Sequence, residues 1–123
     1  MNLSKIGFYT LTNNRAKTAT AFSQMMRGEL ILTGRCNFKC PYCRSVGGHD
    51  IEWSKAIETI RLWCDDGLEN IRFSGGEPTL YNDLARLIKF SKIRGVKRIA
   101  ISTNGSGRKE LYQELIEAGE NDF

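Results

Sequence analysis

"ELILTGRCNFKCPYC", residues 29–43, is the stretch from which the fold can be read. It opens as a short apolar run, Leu30, Ile31 and Leu32, of the kind that lies buried in a parallel sheet. It then runs straight into Cys36, Cys40 and Cys43, spaced C-x3-C-x2-C. A strand that empties into a loop rich in ligating side chains is the arrangement of α/β proteins, whose ligand loops follow the carboxyl ends of parallel strands.

Working outward, the same arrangement repeats. Residues 44–50, "RSVGGHD", read as loop, with Asp50 expected as a helix N-cap. Trp53, Ala56, Ile57, Ile60, Trp63 and Cys64 recur at helical spacing up to a stop at Gly67. "NIRFS" (70–74) is the second strand, broken by "GGEP". Leu80, Leu84, Leu87 and Ile88 mark a helix closed by Gly95, and "KRIAIS" (97–102) is the third strand, followed by the loop "TNGSG". Leu111, Tyr112, Leu115 and Ala118 mark a last helix that ends at Gly119. Each closing glycine is followed four residues later by an apolar residue, Ile71, Ile99 or Phe123. The expected fold is α/β: a parallel sheet of successive βα units, with helices on one or both faces. In this phase Phe123 is an early residue of a fourth strand, so an open sheet edge is expected beside the third. The chain then reads either as part of a longer protein or as one whose sheet another chain, or a second copy, completes.

Residues 1–28 read as an N-terminal arm with a short strand at "IGFYTL", and residues 29–123 as the core domain. A chain of 123 residues, 41% hydrophobic and 26% charged, has room for one core. The formal charge of +4 permits a phosphate-bearing partner without requiring one. Arg86, Lys89, Lys92, Arg94, Lys97 and Arg98 form a basic run, but no aromatic residues interleave them. The run reads as a solvated face, and nucleic-acid binding is not expected. No apolar run is long enough to span a membrane, and the first residues lack the pattern of a signal peptide. The expected compartment is the cytoplasm, where thiols stay reduced and clustered cysteines point to metal.

Structural zinc takes four closed ligands, usually from two separated knuckles. The fourth cysteine, Cys64, sits on an apolar helical stripe and reads as a small buried hydrophobe. A [4Fe-4S] cubane is ordinarily held by four thiolates. Held by three, it keeps one iron with open coordination sites, where a small molecule can bind. A zinc site with His49 as fourth ligand is the alternative; otherwise His49 is a loop residue.

These residues bring the chain to a known family. "CNFKCPYC" resembles the cluster loop of radical S-adenosylmethionine (radical SAM) enzymes, including an aromatic, Tyr42, just before the last cysteine. "SGGEP" (74–78) is similar to the family's Gly-Gly-Glu motif, and "ISTNG" (101–105) to its ribose-contacting strand end. The resemblance covers residues 29–123 and implies a truncated, TIM-type partial (β/α) barrel, about three βα units of the six in the family's core. It further implies a [4Fe-4S] cluster on Cys36, Cys40 and Cys43, and S-adenosylmethionine held by several segments. Gly75, Gly76, Glu77 and Pro78 would take its methionine amine, Ser102, Thr103 and Asn104 its ribose or carboxylate, and Tyr42 would lie by its adenine. The implied activity is reductive cleavage of SAM to a 5′-deoxyadenosyl radical that abstracts hydrogen from an unidentified substrate, as an oxidoreductase or transferase. Electrons would come from a donor such as flavodoxin or ferredoxin. Two other readings stand beside this one: a truncated barrel that binds without turnover, and a small zinc module for nucleic acid.

Overall fold

The computed structural model describes residues 20–43 and 47–123. "IGFYTL" lies outside the described residues. The element order is β1 (Arg27–Thr33), α1 (Trp53–Asp65), β2 (Asn70–Gly75), a 3-10 turn (Pro78–Leu80), α2 (Leu84–Ile93), β3 (Arg98–Ile101) and α3 (Lys109–Ala118). The strands form a parallel sheet in the order β1-β2-β3. β1 begins two residues earlier than the apolar run suggested, because Arg27 and Gly28 pair with Asn70 and Ile71. Gly28 leaves room there for the Trp63 ring, which a Cβ would meet at 2.7 Å.

Alternation along the strands divides the two faces of the sheet. Leu30, Leu32, Ile71, Phe73, Ile99 and Ile101 are buried, and they pack in one core with Ala56 and Ile60 of α1, Leu84, Leu87 and Ile88 of α2, and Leu115 and Ala118 of α3. All three helices therefore cover the same face. Each large apolar side chain buried there contributes about 1.5–3 kcal/mol. Trp53 and Trp63 are half-buried against this core, and Arg86 stacks 4.2 Å from the centroid of the Trp53 ring. The opposite face is mixed: Glu29, Arg72 and Ala100 stand in one rank across the strands, and Ile31 is exposed on the same face.

Helices end where the glycines stand; Gly67, with φ 103°, takes a backbone conformation that side chains rarely adopt. Past α3 the chain returns to the sheet. The Asn121 amide donates to the Ile99 carbonyl (2.9 Å) and the Ile101 amide to the Asp122 carbonyl (2.8 Å). Asp122 pairs in parallel with Ala100, so the strand phase that placed Phe123 in a fourth strand agrees with the pairing. Four residues of the basic run face carboxylates: Arg86 faces Asp83, Arg94 faces Asp65, Lys97 faces Glu69 and Arg98 faces Asp122. Among the described residues no helix is long and apolar enough to cross a membrane.

Asp50 does not cap α1. Glu52 occupies the N-cap without a side-chain bond. The Asp50 carboxylate instead accepts from the Thr33 hydroxyl (2.5 Å) and from Arg35 Nε and Nη2 (both 2.8 Å). A two-pronged guanidinium with a hydroxyl outcompetes one helix-end amide. The ion pair holds the Asp50 carboxyl below its ordinary pKa and the Arg35 guanidinium above its own.

Glu120, only 6% exposed, sits where α3 gives way to the returning segment. Among the described residues its Oε1 meets no hydrogen-bond partner. Burial pushes its pKa up to about 7, against the pull of the Asp122 amide. A carboxyl raised in the folded state favours folding while it is protonated. That stability is complete below its ordinary value of 4.5 and is lost as pH rises through about 7. The predicted urea midpoint is higher at about pH 5.5 than at about pH 8, and Glu120→Gln narrows the gap by stabilising the protein at the higher pH. A wild-type midpoint that is flat across this range would contradict the assignment.

Candidate active site

The cysteine loop leaves β1 through an irregularity in its pairing. Ile31 pairs with Ser74 and Thr33 with Gly75, so Leu32 is the extra residue of a bulge. The loop then closes on its own base. The Gly34 amide donates to the His49 carbonyl (2.9 Å), the Ile51 amide donates to the Leu32 carbonyl (2.8 Å), and Thr33 bridges Asp50. Arg35 reaches from this base to the Leu80 carbonyl (2.8 Å), tying it to the segment that follows β2. The side chain of His49 is exposed.

Cys36 and Cys40 are half-buried and Cys43 is exposed, all as free thiols. The Cys43 amide donates to the Cys40 carbonyl (3.0 Å) in a tight turn. Tyr42 is 86% exposed, and a hydrogen bond with Cys40 raises the pKa of its phenol. Cys64 packs against the core from α1, where burial raises its thiol pKa and Arg94 and Asp65 stand near. The carboxyl end of α1 is at the opposite end of the sheet from the cysteine loop, so Cys64 cannot join the other three. Among the described residues no three His, Cys, Asp or Glu side chains gather around one point as a single ion requires. Three reduced thiols on one loop suit a polynuclear iron–sulfur group, whose ligated corners lie further apart.

The Gly-Gly-Glu segment is bound tightly to this loop. The Gly76 amide donates to the Thr33 carbonyl and the Glu77 amide to the Arg35 carbonyl, each at 2.8 Å. A Cβ on Gly76 would lie 2.2 Å from the Arg35 carbonyl oxygen, so the glycine makes room for the protein's own backbone. Glu77 is fully buried. Its Oε1 accepts from the Thr79 amide (3.1 Å), the Thr79 hydroxyl (2.6 Å) and the Thr103 hydroxyl (2.7 Å), and its Oε2 from the Asn104 amide (2.7 Å). Burial alone would raise its pKa, but these donors outweigh it, and the carboxyl is held below its ordinary range. Glu77 thus joins the ends of β2 and β3. Pro78 is buried at the start of the 3-10 turn that Glu77 caps.

Past β3, Ser102 is exposed and Thr103 lies between Glu77 and the Tyr112 hydroxyl. The side-chain amide of Asn104 donates to Asn37 Oδ1 (2.8 Å) and lies 3.9 Å from Cys36 Sγ. Gly75, Gly76, Ser102, Thr103 and Asn104 line one cleft of about 740 Å³ with Arg72. The structure therefore brings the strand-end residues together around a cleft, with the cysteine loop at its margin. Sequence reading missed Arg72, Asn37, Ser106 and the Arg35–Asp50 pair. Arg72 carried a signal, since it lies four residues before Gly76 on the polar phase of its strand. The rest are paired across distances that no local pattern reveals.

A parallel βα sheet with a cysteine loop after its first strand and a cleft at its strand ends is the arrangement of a partial βα barrel. Residues 30–123 match the model of the Radical SAM superfamily, and the chain belongs to that enzyme superfamily. It is 36% identical over 97 residues to a GTP 3',8-cyclase of Aquifex aeolicus, covering 72% of this chain and 30% of that protein. It is 35% identical over 102 residues to a GTP 3',8-cyclase of Staphylococcus aureus, covering 73% and 30%. The molybdenum cofactor biosynthesis protein moc-5 of Caenorhabditis elegans is 30% identical over 96 residues, covering 72% and 16%. The chain thus spans less than a third of the length of these relatives.

Proposed function

We propose that Cys36, Cys40 and Cys43 hold a [4Fe-4S] cluster and that the adjoining cleft holds S-adenosylmethionine. The observation that carries this reading is the approach of the Asn104 amide to Cys36, 68 residues apart in the chain. It sets the cysteine loop against the mouth of a cleft lined by Gly75, Gly76 and Ser102. When bound, the cluster would supply the one electron that breaks the C5′–S bond of SAM, giving methionine and a 5′-deoxyadenosyl group able to take hydrogen from a substrate. The chain's own part is to bind and orient. Ser102 is exposed at the cleft with its hydroxyl available to a ribose. Glu77 is engaged on both oxygens, so its part is to hold the two strand ends in register.

GTP, in the name of the relatives, is the first substrate to try. Arg72 lines the cleft, and Glu29, its partner in register, places an opposing charge on the same face. Water must be kept from the radical, and the cleft is walled on one side by β2, β3 and residues 122–123. The pairing begun at Asp122 offers an edge on which further strands, from this or another polypeptide, would complete the wall. A flavodoxin or ferredoxin would serve as reductant.

Anaerobic reconstitution is expected to give about four iron and four sulfide per chain, and reduction with SAM to release 5′-deoxyadenosine. Bound zinc without acid-labile sulfide would refute the cluster. A cluster that binds SAM but releases no 5′-deoxyadenosine would point to the truncated, non-catalytic barrel.

A further inference from the structure

Asn104 is exposed, but both ends of its side-chain amide are engaged by the protein's own groups. Its Nδ2 donates to Asn37 Oδ1 at 2.8 Å and approaches Cys36 Sγ at 3.9 Å. Its Oδ1 accepts from the Ser106 amide at 3.0 Å. Asn37 completes the circuit by donating from Nδ2 to Ser106 Oγ at 2.8 Å. These partners set the amide's orientation, since a flipped Asn104 would turn its NH2 toward the Ser106 N–H and its oxygen toward Asn37 Oδ1. The backbone beneath is held as firmly, because the Asn104 amide donates to the buried Glu77 carboxylate at 2.7 Å. Cys36 Sγ also accepts from the Phe38 amide at 3.4 Å. Of the three loop cysteines, Cys36 takes a donor from outside the loop among the described residues.

The geometry points to Asn104 as a positioning residue that donates its side-chain N–H to the Cys36 sulfur and raises the reduction potential of the cluster held there. This rests on the proposed cluster. Reduction adds negative charge to the cluster, part of it carried by the ligating sulfurs. A fixed N–H donor stabilises that charge more in the reduced state than in the oxidised one. The donor's backbone is set by Glu77 in the interior, so it is the loop carrying Cys36 that must be brought to it. The ring through Asn37 and Ser106 then holds the loop against the strand end. Donor and clamp are separate contributions and can be removed separately.

The test is a redox titration of the reconstituted chain, read by absorbance, after iron and sulfide have been counted. In Asn104→Ala the ratio of reduced to oxidised cluster at a fixed ambient potential is expected to fall about tenfold, a shift of about 59 mV for a one-electron couple. Asn37→Ala removes the clamp but keeps the Asn104 donor, whose amide is still oriented by the Ser106 N–H on its Oδ1. It is expected to shift the potential far less while the cluster is lost faster to a chelator. Asn104→Asp, which preserves shape and replaces a donor by an acceptor, is expected to move the potential in the same direction as Asn104→Ala. It decides the matter where circular dichroism shows the alanine variant unfolded. A wild-type potential in a folded Asn104 variant, or equal shifts in Asn37→Ala and Asn104→Ala, overturns the inference and leaves the cluster standing. A wild-type protein without iron and sulfide overturns both.

Discussion

Replacing Glu77 with alanine is expected to destabilise the fold by about 3–4 kcal/mol, measured as a lowered urea midpoint. The carboxylate is fully buried and accepts four hydrogen bonds. Two of the donors, the Thr79 and Asn104 amides, are backbone groups that cannot turn away, and each left unpaired costs about 1–3 kcal/mol. The two threonine hydroxyls can rotate and recover part of their loss. Glu77→Gln separates the charge from the shape. Its carbonyl can stand where Oε1 now accepts three donors, but its NH2 then faces the Asn104 N–H. One contact turns repulsive, and about 2 kcal/mol of destabilisation follows. The acid limb provides a second check. The folded-state pKa of Glu77 lies below the ordinary 4.5, so its contribution is present above that value and is lost as pH falls through the lowered one. Wild-type stability should therefore drop in acid through this group, and Glu77→Gln should lack that component. An alanine variant as stable as the wild type would mean that the four hydrogen bonds do not form in solution.

What the sequence made legible was what is local. The βα joints were readable because each rests on a contiguous apolar run and a glycine a few residues away, as at Gly67 and Ile71. The cysteine loop was readable because its ligand spacing is written within eight residues. Asp50 was misread for the complementary reason. Its position before a helix is the right local pattern for a cap, but Arg35, fifteen residues earlier, competes for the same carboxylate. Glu77 illustrates the limit most plainly. As sequence it is one letter of a ligand motif; in the fold two of its four hydrogen bonds come from residues 26 and 27 positions further on. The Asn37–Ser106 bond spans 69 residues and has no local signature at all. Periodicity reports which face of an element is buried, whereas polar pairing across elements depends on register and on the exit angles of loops. Those follow from packing of the whole sheet.

Gly76→Ala is expected to detach the cysteine loop from the strand ends while leaving the helical core folded. The added Cβ would lie 2.2 Å from the Arg35 carbonyl oxygen, 2.6 Å from its carbon and 2.9 Å from the Gly34 oxygen. All three are backbone atoms, so no rotamer change relieves the clash. The Gly76–Thr33 and Glu77–Arg35 hydrogen bonds hold the two backbones at this spacing, and at least the second must lengthen. Overpacking of this kind typically costs about 1–3 kcal/mol. Its local consequence is larger than its global one. Arg35 is the residue next to Cys36, and its displacement moves this first of the proposed cluster ligands away from Asn104 and from the cleft. The predicted outcome is a protein whose helical circular dichroism matches the wild type but which retains less than about a tenth of its iron after gel filtration, since errors in ligand orientation commonly cost about 10–100-fold in metal affinity. Gly48→Ala serves as the control on the same loop system. Its Cβ meets only the Arg35 side chain at 3.6 Å, an ordinary contact. Equal iron retention in the two variants would show that the Gly76 clash is absorbed without moving the loop, and that close packing of these backbones does not position the cysteines.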